Sequence, residues 1–193
     1  MRIWRSIDAI ECYCSNWLVQ HSLAGSKIDE ISTDLYPKTI WTNNIIDSVN
    51  EVMLILRDAL LFDDTVVSGR QVDRITDINA RIIENISKLK QTVISPEGIK
   101  RLTALKEARD PFIVVRDRII TLIKNGQKEE AKSLLFNELV PLQKPFFDAL
   151  YSQLNYQTER METTSQVAAN NGSFAMTLLL LLSVVGIAAW YWY

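Results

Sequence analysis

Beyond Glu162 the chain carries no Asp, Glu, Lys, Arg or His before Tyr193. Within that stretch Phe174 to Tyr193 reads FAMTLLLLLSVVGIAAWYWY, twenty residues without a charge. As a helix it would measure about 30 Å, enough to cross the hydrocarbon core of a bilayer. The closing Trp190-Tyr191-Trp192-Tyr193 has the character of an interfacial aromatic belt. Residues 174–193 are therefore expected to form a transmembrane helix, and the preceding domain to stand on a membrane surface.

Ahead of it the sequence is helical in character. Only 6 glycines and 5 prolines punctuate 193 residues, too few for a fold rich in tight turns. Four helical stretches are expected. The first runs from about Ser26 to Phe62 and stops at Asp63-Asp64-Thr65. The second runs from about Ser68 to Thr92, with Ile75, Ile78, Ile82, Ile86 and Leu89 at three-and-four spacing. The third opens at Ser95-Pro96-Glu97, an N-cap followed by proline in the first turn, and ends at Asn125-Gly126. The fourth begins near Gln127 and feeds the C-terminal span. Short connections make consecutive helices antiparallel neighbours. The fold expected is all-α, an antiparallel up-down-up-down four-helix bundle over 27–173 with a C-terminal transmembrane helix.

Residues 1–26 read as an atypical N-terminal segment, because Arg2, Arg5, Asp8 and Glu11 interrupt every apolar run. Cys12 and Cys14 have the spacing of neither a metal site nor a disulfide framework, and read as incidental thiols. With one histidine, His21, no metal site or cofactor is expected. A net charge of −2 excludes the basic field that nucleic acid requires.

Charged and amide side chains on the apolar stripes are the candidates for function. Rotation by about 100° per residue places Arg109 and Arg116 on one stripe of the third helix, with Leu105, Phe112, Ile113 and Ile120. On the first helix the stripe around Arg57 holds Ile46, Met53, Leu54, Leu60 and Leu61, with Asn43 and Asn50 alongside. Asn79 shares a face of the second helix with Ile75, Ile82 and Ile86. Counted down from the distal turns, Arg57, Asn79 and Arg116 fall in one layer. Asn50 and Arg109 lie about two turns lower. The fourth helix brings Leu139, Gln143 and Phe146 to these depths. No acidic residue is expected to face the layer except Asp64 at the tip. A buried guanidinium without an anion is costly, and its fork is matched to a carboxylate. Arg109, Arg116, Arg57, Asn79, Asn50, Gln143 and Phe146 are thus expected to form a site for a small carboxylate, an organic acid or an amino acid. The competing expectation is that the arginines snorkel from the edge of the stripe. Pro111, Pro141 and Pro145 fall inside helices and are expected to bend them. The layer has no carboxylate pair, nucleophile–base pair or metal set, so no catalytic residue is expected.

Several segments resemble a known family. Asp34-Leu35-Tyr36-Pro37-Lys38, Asn43-Asn44-Ile45 and the run from Val52 through Leu56-Arg57-Asp58-Ala59-Leu60-Leu61 are three of them. Ser95-Pro96-Glu97-Gly98, Asn125-Gly126-Gln127-Lys128-Glu129-Glu130-Ala131 and Leu139-Val140-Pro141-Leu142 complete the set. In order and spacing these are similar to the four-helix-bundle ligand-binding domain of bacterial methyl-accepting chemotaxis proteins. The resemblance implies a homodimer in the inner membrane, with the bundle in the periplasm. It also implies ligand binding relayed by displacement of the last helix. The family's first membrane helix would precede about Lys27 and its signalling coiled coil would follow Tyr193. Neither stands in these residues, so the chain reads as a receptor's sensor portion, truncated after the second membrane helix. The alternative is a membrane-anchored bundle with a structural or protein-interaction role and no small ligand.

Overall fold

A computed structural model of the chain describes residues 22–191, with side chains described only in part beyond Phe174. Cys12, Cys14 and His21 lie outside the described residues. All the described structure is helical. Residues 22–30 (α1) lead through a wide π-turn, Ile31–Leu35, into α2, Tyr36–Leu61. Then come α3, Thr65–Asp73; α4, Ile75–Thr92; α5, Pro96–Lys124; and α6, Lys128–Leu134. A second π-turn, Leu135–Leu139, leads into α7, Val140–Tyr191. These pieces make the four expected helical arms, joined by three short connections.

The ends of the arms follow from local hydrogen bonding. Asp64 accepts from the backbone N–H groups of Val66 and Val67, so it is an N-cap rather than part of the turn. The second arm consequently starts at Thr65, earlier than expected, and a single turn at Arg74 divides it into α3 and α4. Ser95 caps α5 by accepting from the N–H of Gly98 at 3.2 Å. At the other end of α5, Gly126 adopts φ +76°. The Gly126 N–H then reaches Ile123 O at 3.1 Å and that of Gln127 reaches Leu122 O at 2.9 Å, the paired bonds of a Schellman stop.

The π-turns were not expected. In them the N–H of Tyr36 donates to Ile31 O and that of Val140 to Leu135 O, five residues back instead of four. Each turn stands one residue ahead of an X-Pro bond, at Pro37 and Pro141. Proline has no N–H to donate, and its ring presses on the carbonyl four residues earlier. Widening the preceding turn gives that ring room. Pro111 and Pro145 are taken inside α5 and α7, and with Pro141 all three are exposed, which leaves the freed carbonyls to water.

The described chain divides into two compact units, 37–158 and the pair of segments 22–36 with 159–191. The first holds a continuous core in which Ile45, Leu56, Ile119, Leu135, Leu139 and Leu150 are wholly buried. In the second, Glu30 pairs with Lys27 at 2.8 Å and Arg160 at 3.3 Å, and Leu35 and Ala168 are buried. The expected span, Phe174–Tyr193, falls largely on side chains outside the described set. Among the described residues no helix is long and apolar enough to cross a membrane.

Near the N-terminus of α5, Gly98 is buried beside the cap. A Cβ on Gly98 would lie 2.5 Å from Val93 Cγ1 and 2.7 Å from Ser95 Oγ. Val93 is buried and β-branched, so it has nowhere to turn. Gly98→Ala is expected to destabilise the chain by about 1–3 kcal/mol, read from the midpoint of urea denaturation.

Candidate functional site

Arg116 is the most deeply buried arginine of the described chain, with 5% of its surface exposed. It sits on α5 among Phe112, Val115 and Ile119, all of which face the core. Its guanidinium is satisfied from two directions. Nη1 donates to Asn79 Oδ1 on α4 at 3.1 Å. Nε and Nη2 both donate to Asp117 Oδ1, at 2.9 and 2.7 Å.

Arg109, two turns earlier on α5, is half-buried and differently placed. Its nearest acid is Asp110, at 3.9 Å, and its guanidinium makes no hydrogen bond among the described residues. Burial holds its guanidinium below the usual arginine range; Asp110 opposes this, and the charge of Arg116 adds to it.

The two arginines share a narrow, partly enclosed cavity of about 10 Å³, walled by Val49 and Val52 of α2, Asn79 and Ile82 of α4, Phe112 of α5 and Phe146 of α7. Phe112 and Phe146 meet with ring centroids 5.3 Å apart. The volume suffices for about one water molecule. On the other side of Arg116 an open groove of about 320 Å³ runs between α4 and α5. Asn79 and Arg116 line both spaces, so they form the partition between cavity and solvent. Lys124, in the groove, is paired with Asp73 at 2.6 Å.

Four of the seven expected residues therefore meet at one place: Arg109, Arg116, Asn79 and Phe146. Gln143 is half-buried and does not line the cavity. Arg57 and Asn50 are exposed, which corrects their expected burial. The stripe expected around them is split: Leu54 and Leu61 are 56% and 80% exposed, while Ile46 and Met53 turn inward with Ile45, Val49, Val52 and Leu56. Asp64 caps α3 and has no part in the layer. The missed residue is Asp117. Adjacent helical residues point about 100° apart, so phase counting sets an acid at 117 off the stripe. The long arginine side chain bends outward and closes the gap. The signal available was the Arg116-Asp117 dipeptide itself. Among the described residues no cluster of His, Cys, Asp or Glu could hold a metal ion.

Residues 22–171 match the four helix bundle sensory module for signal transduction. The chain belongs to this family, the helical sensor of chemoreceptors. The family is a sensory signalling module rather than an enzyme domain, and its work is signal transduction in chemotaxis. No curated protein matches the chain.

In this sensor module, Arg109 and Phe146 do different jobs for stability. Arg109→Met is expected to change the unfolding free energy by less than about 1 kcal/mol, because no hydrogen bond is lost. Phe146→Ala removes a ring that is 1% exposed and is expected to cost about 3–5 kcal/mol. Urea denaturation of both variants checks the contrast.

Proposed function

We propose that the chain is a chemoreceptor sensor that takes a small carboxylate at the layer formed by Arg109, Arg116 and Asn79. The observation that carries this reading is the cavity shared by two arginines, one of which has no hydrogen-bond partner among the described residues. An apolar wall strengthens the attraction of such a pair for an anion, and a guanidinium fork fits a carboxylate with two parallel bonds. A cavity of about 10 Å³ admits no organic acid, so binding selects an arrangement with the helices further apart. Phe146 carries that parting to α7, which runs on to Tyr191 and relays it as a displacement of the last helix.

The same reading has the charge-free stretch Phe174–Tyr193 as the inner-membrane anchor and the bundle in the periplasm. It also has the sensor as a homodimer through α2. Ile40, Asn43, Asp47, Asn50, Leu54, Arg57 and Leu61 are all exposed and follow a strict three-four spacing, the pattern of a helix–helix seam. Arg57 and Asn50 then belong to the subunit contact. The tightness of the cavity favours a second reading, a protein-interaction bundle with no small ligand.

Thermal-shift and isothermal titration of the full chain in detergent, across organic acids and amino acids, separate the two. Under the first reading at least one acid binds, and Arg116→Ala or Arg109→Ala reduces its affinity by at least about tenfold. Absence of any binder sinks the carboxylate reading and leaves the interaction bundle.

A further inference from the structure

The Nε–Nη2 edge of a guanidinium is a natural docking edge for a carboxylate, with two donors side by side. On Arg116 that edge is already taken. Both donors converge on one oxygen, Asp117 Oδ1, at 2.9 and 2.7 Å. The two partners differ sharply in exposure. The Arg116 side chain is 6% exposed and the Asp117 side chain 58%. Asp117 borders the groove between α4 and α5 together with Thr76, Asn79, Thr121 and Lys124.

We propose that Asp117 is an internal stand-in for the ligand's carboxylate, occupying Arg116 in the empty sensor and swinging into the groove when ligand arrives. The inference rests on the carboxylate reading of this site and adds how the site is regulated. Without an anion, a cation as buried as Arg116 would be strongly destabilising. Asp117 supplies the anion while staying in contact with water, so its release costs little. Its grip crowds two donors onto one oxygen: a ligand that offers two oxygens to the same edge and keeps the Asn79 bond on Nη1 outcompetes it. The groove of about 320 Å³ receives the displaced side chain and gives the ligand its approach, since Arg116 and Asn79 stand between groove and cavity. Apparent affinity is then the intrinsic affinity reduced by the fraction of time Arg116 is unoccupied.

Removing an acid from the sensor should therefore improve it. Isothermal titration of the full chain with acetate and with succinate tests this on wild type, Asp117→Asn and Arg116→Ala. Asparagine keeps an acceptor for Arg116 but not the charge. Asp117→Asn is expected to bind at least one of the two acids about fivefold or more tightly than wild type, and Arg116→Ala to bind neither. Should Asp117→Asn lose helical content by circular dichroism, Asp117→Ser takes its place. Wild-type binding that is lost in Arg116→Ala but equal or weaker in Asp117→Asn overturns the stand-in role alone. No binding of either acid to any of the three chains overturns the stand-in role together with the carboxylate reading.

Discussion

A positive charge between packed helices has to be answered by oxygen, and the middle of this bundle is organised around that requirement. Moving an unpaired cation out of water costs far more than a typical packing contact returns. For Arg116 the answer comes from α4 through Asn79 and from its own helix through Asp117. The Asn79 bond fixes α4 against α5 at one height, where Asn79 and Arg116 part the interior from the groove. Arg109 has no comparable answer, and burial disfavours its charged form. The fold thus keeps one cation satisfied and one underserved beside the same cavity, with the Phe112–Phe146 pair shielding the space from water.

Much of this was legible in sequence. The cap at Ser95 and the stop at Asn125-Gly126 bound α5 as read, because both depend on backbone groups within a few residues. Phase counting along α4 and α5 brought Asn79, Arg109 and Arg116 together, since those helices have a single apolar stripe. It failed on α2, which has two. Ile45, Val49 and Leu56, with Ile46 and Met53 at their edge, form the stripe that is buried, and Leu54 with Leu61 a second that is exposed. Spacing alone does not mark where one ends and the other begins, and a stripe drawn across both turned Arg57 and Asn50 inward. On the fourth arm depth was counted without phase, so Gln143 misses the wall that Phe146 reaches. Asp117 escaped because contact here is made by side-chain length rather than by helix phase.

Further down the same unit, polarity is buried with less compensation. Gln153 is fully enclosed and neither amide atom has a hydrogen-bond partner among the described residues; Gln157 Oε1 is in the same position. Each such group costs about 1–3 kcal/mol. A clasp works against that cost. Arg101 donates to the backbone oxygen and hydroxyl of Ser152 and lies 5.1 Å from the centre of the Tyr156 ring, and Tyr156 shares a hydrogen bond with Ser95. The N-terminal end of α5 is held to α7 by directed polar contacts where the apolar core thins out.

The wide turn at Leu135–Leu139 has a consequence for the arm that contains it. A bond to the fifth residue back, in place of the fourth, stores one surplus residue within a single turn. Because the surplus is confined there, the helix before it and the helix after it stay in phase: Ala131 and Leu134 face the core on one side, Phe146 and Leu150 on the other. Slack of this kind can travel. If the surplus passed one position along the arm, only the residue it crossed would change its facing, while both ends kept their neighbours. The fourth arm therefore holds its surplus residue a short way ahead of Phe146, whose ring walls the cavity.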